Sequence, residues 1–176
     1  MDALTHVFLP LTVVYAVRPQ LFDRPELLSL GALGLLADGD KFLGHPGLLH
    51  SLTTLIPICL GVMAVEYVWR GELQYSALAA AIILSHLVLD VVDGGPVPLL
   101  YPLSTAGIGF TYPIQVAFGE GLLGIAFQGS PVALRTTAPQ PGFNTYGFLN
   151  GFGVASMLTF LAVYVGNQLS SRGDAT

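Results

Sequence analysis

Apolar positions in this chain gather into long blocks, and polar residues are pushed to the block ends. Leu4 to Val17 is short and contains Pro10, which is expected to kink or break a helix. Pro25 to Ala37 opens with proline at a favoured first helical position and stops at Asp38-Gly39-Asp40. As an α-helix it reaches about 20 Å, too little to cross a hydrocarbon core of about 30 Å unaided. Leu48 to Trp69 and Tyr75 to Val92 are long enough to span, and Tyr146 to Gln168 reads as a further spanning helix. Gly109 to Gln128 is a poorer candidate, interrupted by Pro113 and by Gly119-Glu120-Gly121.

The predicted fold is an all-α, polytopic membrane helical bundle. It has about four long spanning helices and two short or interrupted apolar segments, because an open sheet would leave unpaired backbone in lipid. One membrane-embedded domain over 1–176 is expected. The polar motifs fall in 1–105, and 106–170 is hydrophobic helix.

If each segment reverses the chain, the ends carrying His6, Asp38/Asp40, His45/His50 and His86/Asp90 fall on one side. Arg18, Arg24, Arg70 and Arg135 then fall on the other, with Lys41 and Arg172 on the motif side. The positive-inside tendency makes the arginine side cytoplasmic and turns the motifs outward. The convergence holds even if the short segments only dip in and return.

Composition agrees with a membrane protein: 53% of residues are hydrophobic and 10% charged, against roughly a quarter charged in soluble domains. Leu48 to Trp69 carries one acid, Glu66, and Tyr75 to Leu89 carries no Asp, Glu, Lys or Arg. A net charge of −5 with six basic residues argues against nucleic-acid binding, which needs a basic surface. The single cysteine, Cys59, lies in an apolar run and reads as a core residue, with neither disulfide nor thiolate metal site. Asp2 and the absence of a basic start do not fit a signal peptide, so the first segment is expected to stay.

The remaining polar residues are the candidates for chemistry. Each of the four histidines sits beside a carboxylate, another histidine or a segment end. His86 and Asp90 are one helical turn apart and share a face, which Asp93 could join. Asp38 and Asp40 flank a glycine turn, able to bridge two ions or to grip one ion and a water. His50 with Ser51 opens a helix whose N-terminal dipole favours an anionic group. Imidazole and carboxylate together suit zinc, and manganese or iron as well.

Each feature also has a bland reading. A single intramembrane histidine is most often a packed polar residue, His86 with Asp90 can be a buried pair, and Asp38 and Asp40 can simply end a helix. Taken together on one side, in a setting where ionisable groups are costly, they favour a metal site. Glu66, four before Arg70 and near Trp69, reads as an interfacial ion pair, and Glu120 as a sign that its segment is no simple span. No phosphate loop, nucleophile-elbow serine or dinucleotide fingerprint occurs.

The order of these residues resembles the inner-membrane-associated metal-dependent hydrolases. The matching elements are His6; Asp38-Gly39-Asp40; His45-Pro46-Gly47-Leu48-Leu49-His50-Ser51; Ser85-His86-Leu87-Val88-Leu89-Asp90; and Val97-Pro98-Leu99-Leu100-Tyr101-Pro102. That family is thought distantly similar to zinc-dependent phospholipases C and single-strand nucleases. The resemblance covers about the first 105 residues and implies His6, Asp38, Asp40, His50, His86 and Asp90 as metal ligands. His45, Lys41 and Ser51 then lie behind the ligands or toward substrate. Lys41 stands where the family usually has histidine, and Pro46 and Leu49 replace its usual arginine and threonine.

The expected function is membrane-bound, metal-dependent hydrolysis of a phosphoester or lipid-linked substrate through metal-activated water, with zinc or manganese as cofactor. Asp40 or Asp93 would be the general base, and the loop Gly94 to Thr105 would border the entrance. The expected partners are membrane lipid and a small-molecule or lipid substrate, and the expected location is the plasma or inner membrane. A metal or proton transporter is the alternative, although its ligands would be expected near the bilayer midplane. A degenerate, structural family member is another.

Overall fold

A computed structural model describes residues 1–22, 24–42, 44–45, 47–93, 95–119, 121–127, 129–137 and 147–173. Glu120 and Pro46 lie outside the described residues. The chain opens with α1, Ala3–Val17, capped by Asp2, whose Oδ1 accepts from the Leu4 and Thr5 amides at 3.1 and 3.3 Å. Pro10 does not break α1. It has no N–H to offer the His6 carbonyl one turn back, so that carbonyl leaves the helical ladder.

Pro25–Leu35 is a 3-10 helix, not an α-helix. Its rise of about 2.0 Å per residue stretches the segment, and its threefold repeat eclipses positions i and i+3. Leu28, Gly31 and Gly34 therefore form one row, and this row packs on α1. A Cβ on Gly31 would sit 3.2 Å from Leu11, and one on Gly34 only 2.1 Å from the His6 carbonyl oxygen. The glycine row lets the two segments touch backbone to backbone. Tight turns then carry the chain into the single-turn helix α2, Gly39–Phe42.

Two long helices follow, α3 (Leu52–Arg70) and α4 (Gln74–Val92), joined at Gly71, which takes φ 71° as a left-handed cap. Ser51 caps α3 through Thr53 N at 3.2 Å. The start of α4 is capped from the neighbouring helix: Glu66 accepts from Ser76 N at 2.7 Å, Tyr75 N at 3.2 Å and the Ser76 hydroxyl. Glu66 is thus a clamp on the α3–α4 hairpin. The last helix, α5 (Gly151–Gly173), runs parallel to α1: Gly153 abuts Asp2, and Phe160 and Tyr164 pack on Phe8 and Tyr15.

Among the described residues, three helices are long and apolar enough to cross a membrane: α3, α4 and the Gly151–Ser170 stretch of α5. Most of the α3 surface is uncovered by protein, with Val62, Val65 and Val68 at 53, 50 and 78% exposure, as lipid contact requires. The core forms where α4 meets its neighbours. One cluster joins Leu11, Tyr15, Phe22, Leu78, Ile82 and Phe160, and a second centres on Leu55, Ile83 and Leu87. Cys59 belongs to this second cluster, as expected of a core residue.

Among the described residues no fourth long span occurs. The region expected as an interrupted helix over Gly109 to Gln128 is β structure, so the chain is mostly helical without being all-α. Strands β1 (Ala106–Phe110) and β4 (Val132–Thr136) pair antiparallel, as do β2 (Ile114–Gly119) and β3 (Gly121–Phe127) between them, forming a nested ribbon. Four glycines and a proline penalise helix there, while the alternating apolar residues suit strands. A two-stranded ribbon has two unpaired edges, which places it outside the hydrocarbon.

This changes the charge map. Val97 bridges to Ile108, tying the ribbon to the α4 exit, so Arg135 opposite Gly107 lies on the motif side. Arg172, at the end of α5, lies with Arg18 on the other. The arginine-rich end therefore gathers Arg18, Arg24, Arg70 and Arg172.

Candidate metal centre

Four separate pieces of chain bring histidine or carboxylate to one place: the start of α1, the turn before α2, the residue before the Ser51 cap and the last turn of α4. His6, His50, His86, Asp38 and Asp40 are buried, and Asp90 is partly so. The arrangement follows from the helix ends. The 3-10 helix delivers Asp38 as it finishes, α3 begins two residues after His50, and the four-residue spacing of α4 stacks His86 under Asp90.

All three buried imidazoles are held from behind through Nδ1. His6 Nδ1 lies 3.1 Å from the Asp2 carbonyl oxygen, and His86 Nδ1 lies 2.6 Å from that of Gly34. His50 Nδ1 lies 2.9 Å from Asp40 Oδ2. A carbonyl or carboxylate oxygen only accepts, so each Nδ1 can donate to the oxygen behind it, which leaves Nε2 as the ring nitrogen available to a metal ion. This back-bonded tautomer is how proteins aim histidine at a metal.

The forward atoms meet. His86 Nε2 lies 3.3 Å from His50 Nε2, 3.2 Å from Asp90 Oδ2 and 3.8 Å from Asp38 Oδ1. His50 Nε2 lies 3.5 Å from Asp90 Oδ2 and 3.6 Å from Asp38 Oδ1. Two imidazole nitrogens and two carboxylates at such distances repel unless a proton or a metal cation lies between them. A tetrahedral ion with bonds of about 2.0–2.1 Å sets its ligands about 3.3 Å apart. The donor set and its spacing fit a divalent ion.

His6 occupies the flank. Its ring stacks on His86 with centroids 3.9 Å apart, and its Nε2 is 3.0 Å from the other Asp90 oxygen, Oδ1. The candidate ligand groups are thus Asp38, His50 and His86 on one side and His6, His86 and Asp90 on the other, sharing His86.

Asp40, expected as a ligand and base, sits in the layer behind. Its Oδ2 accepts from the Gly47 and Leu49 amides at 2.8 and 3.2 Å as well as from His50, and it does not border the cleft. Ser51 is also turned away, its hydroxyl within hydrogen-bond distance of the Leu99 and Tyr101 carbonyls, where it pins the loop after α4. The His45 side chain is exposed and does not border the cleft. Lys41 does border it, paired to Asp38. Asp93 is half exposed at its rim, 2.6 Å from the Met1 amino group.

Asp2 and Gly34 carry no motif, and the sequence did not mark them, because each acts through a backbone carbonyl. The cleft holds about 330 Å³ and runs from His6, Asp38 and His50 out to Gly95, Pro96 and Pro98. Of the loop expected to border the entrance, Gly95, Pro96, Val97 and Pro98 line the cleft.

Electrostatics concentrate on His50. Burial opposes its charge, but hydrogen bonds to Asp38, Asp40 and Asp90 outweigh burial and push its pKa up to about 11. Without a metal ion, the cluster therefore holds a proton where the ion would sit.

Helices able to cross a bilayer, closed at one end over a histidine–carboxylate cluster, define an integral membrane protein with a candidate metal centre. A family model described as YdjM inner membrane protein matches residues 1–174, and the chain belongs to that family. It is an integral protein of the inner membrane. Neither the curated proteins nor the solved structures include a match to it.

Proposed function

We propose that the protein is a membrane-bound, metal-dependent hydrolase acting on a phosphoester of a lipid or lipid-linked substrate. One observation carries the reading: His50 and His86, each held from behind through Nδ1, bring their Nε2 atoms within 3.3 Å of each other beside the Asp38 and Asp90 carboxylates, with His6 stacked on the flank.

Asp38, His50, His86 and Asp90 would hold the ion, and His6 would steady Asp90 or complete the shell. The imidazole and carboxylate donors suit zinc, with manganese as the alternative. A divalent ion there would act as a Lewis acid, polarising a phosphoryl oxygen and acidifying water.

The protein's own groups supply the rest. Asp40 holds His50 in the productive tautomer. Asp93, at the cleft rim, is placed to take a proton from attacking water. Lys41 borders the cleft and adds positive charge for a phosphoryl group. The cleft lies at the ends of α3 and α4, and a site at helix ends would meet the phosphoester of a membrane lipid in the headgroup layer. That position disfavours the transporter reading, in which ligands sit at the midplane.

The test is a panel of phospholipids and soluble phosphoesters assayed with zinc or manganese, with His86→Ala as the control. Metal-dependent release of product by the wild type alone supports the reading. Metal-free wild type, purified without chelator and inactive with either ion, removes it.

A further inference from the structure

The opposite end of the bundle carries a second feature, independent of the metal centre and about 28 Å away along α3. Between the 3-10 helix and the α3–α4 hairpin lies a cavity of about 250 Å³ lined by Arg24, Leu27, Leu30, Arg70 and Tyr75. It shares Leu30, Arg70 and Tyr75 with an apolar cavity of about 360 Å³ that adds Val62, Val65 and Trp69. Together they form one groove, cationic at its mouth and apolar along its length.

The fold builds this groove deliberately at its cationic end. Gly71 ends α3 immediately after Arg70, and Glu66 clamps Tyr75 and Ser76, so the Arg70 guanidinium rests 4.6 Å from the centre of the Tyr75 ring. Arg24 immediately precedes the 3-10 helix. Among the described residues, no carboxylate lies within ion-pair distance of either guanidinium. Glu66, the acid that lines the groove, accepts from three donors and attracts Arg70 only at longer range. Two arginines at a helix end, beside an apolar slot, match an anionic headgroup with its tail. The positive-inside tendency reads this end as cytoplasmic.

We propose that this groove binds an anionic phospholipid, with its phosphate between Arg24 and Arg70 and one acyl chain along Val62, Val65 and Trp69. The reading does not depend on the metal centre.

Trp69 is the single tryptophan of the chain and lines the apolar part, so it reports occupancy directly. The full chain is reconstituted in phosphatidylcholine bilayers containing either brominated phosphatidylglycerol or brominated phosphatidylcholine at equal mole fraction, and Trp69 quenching is measured. The anionic lipid is expected to bind about fivefold more strongly for each guanidinium engaged.

Arg24→Gln with Arg70→Gln should bring the two lipids to parity, and the paired lysine variant should restore part of the preference. Circular dichroism confirms the helices of each variant. Equal quenching by the two lipids in the wild type overturns the proposal, with no variant needed. So does a preference that survives loss of both arginines. Reversal of the preference by millimolar inorganic phosphate would also overturn it, since a free anion would then be the ligand.

Discussion

The carbonyl oxygen of Gly34 accepts the Nδ1 proton of His86 across 2.6 Å, linking the 3-10 helix to α4 through a backbone atom. The same glycine lets the His6 carbonyl approach to where its own Cβ would be. One residue without a side chain therefore sets the position of two of the three buried imidazoles.

Gly34→Ala should separate these elements. Its Cβ would stand 2.1 Å from the His6 carbonyl oxygen, so backbone must move. Such overpacking costs about 1–3 kcal/mol. A lowered Tm in detergent should accompany loss of bound metal. An alanine variant with unchanged Tm and metal content would show that the contact is not needed.

The wild type should bind one divalent ion per chain, because His86 Nε2 is common to both ligand groups and has one lone pair. His86→Ala and Asp90→Ala should abolish binding, whereas Asp93→Asn should keep the metal and lose turnover. Elemental analysis of the three variants, beside the phosphoester assay, separates ligands from base. Two ions per wild-type chain would contradict the single-ion arrangement.

Asp40→Asn should weaken metal binding by about 10–100-fold without abolishing it, the usual effect of losing a partner that orients a ligand. An amide can present its NH₂ to His50 Nδ1 and so turn the ring to the wrong tautomer. Competition with a fluorescent chelator measures the change, and an Asp40→Asn affinity equal to the wild type's would show that Asp40 orients nothing.

Metal and proton compete at His50. Because its pKa is raised to about 11, binding a metal at neutral pH must expel a proton, and affinity should rise about tenfold per pH unit. Stability of the metal-free protein should run the other way. The folded state keeps a proton that an unfolded histidine releases above about 6.5. This contribution is complete below that pH and disappears as pH climbs through about 11. Chelator competition and denaturation between pH 6 and pH 9 check both slopes. A pH-independent affinity would mean that no proton is displaced.

The sequence by itself determined the membrane environment, because an uncharged stretch such as Tyr75 to Leu89 has no stable home in water. It also marked His6, Asp38, His50, His86 and Asp90, because ionisable groups beside such stretches stand out, and a four-residue spacing fixes which of them share a helical face. The end-to-end geometry of α3 and α4 follows from the same local pattern.

What tertiary structure decided is everything that depends on a partner far along the chain. Asp40 and Asp38 look alike in sequence, yet one lies behind His50 and the other in front of it. Glu66 pairs by spacing with Arg70 but is taken by the amides that open α4. Gly109 to Gln128 is apolar enough for a helix, and only pairing between strands satisfied its backbone otherwise, carrying Arg135 to the other side. Asp2 and Gly34 act through carbonyl oxygens, which every residue possesses. Hydropathy records how each residue meets its solvent, whereas a hydrogen-bond acceptor is chosen by where the folded backbone happens to pass.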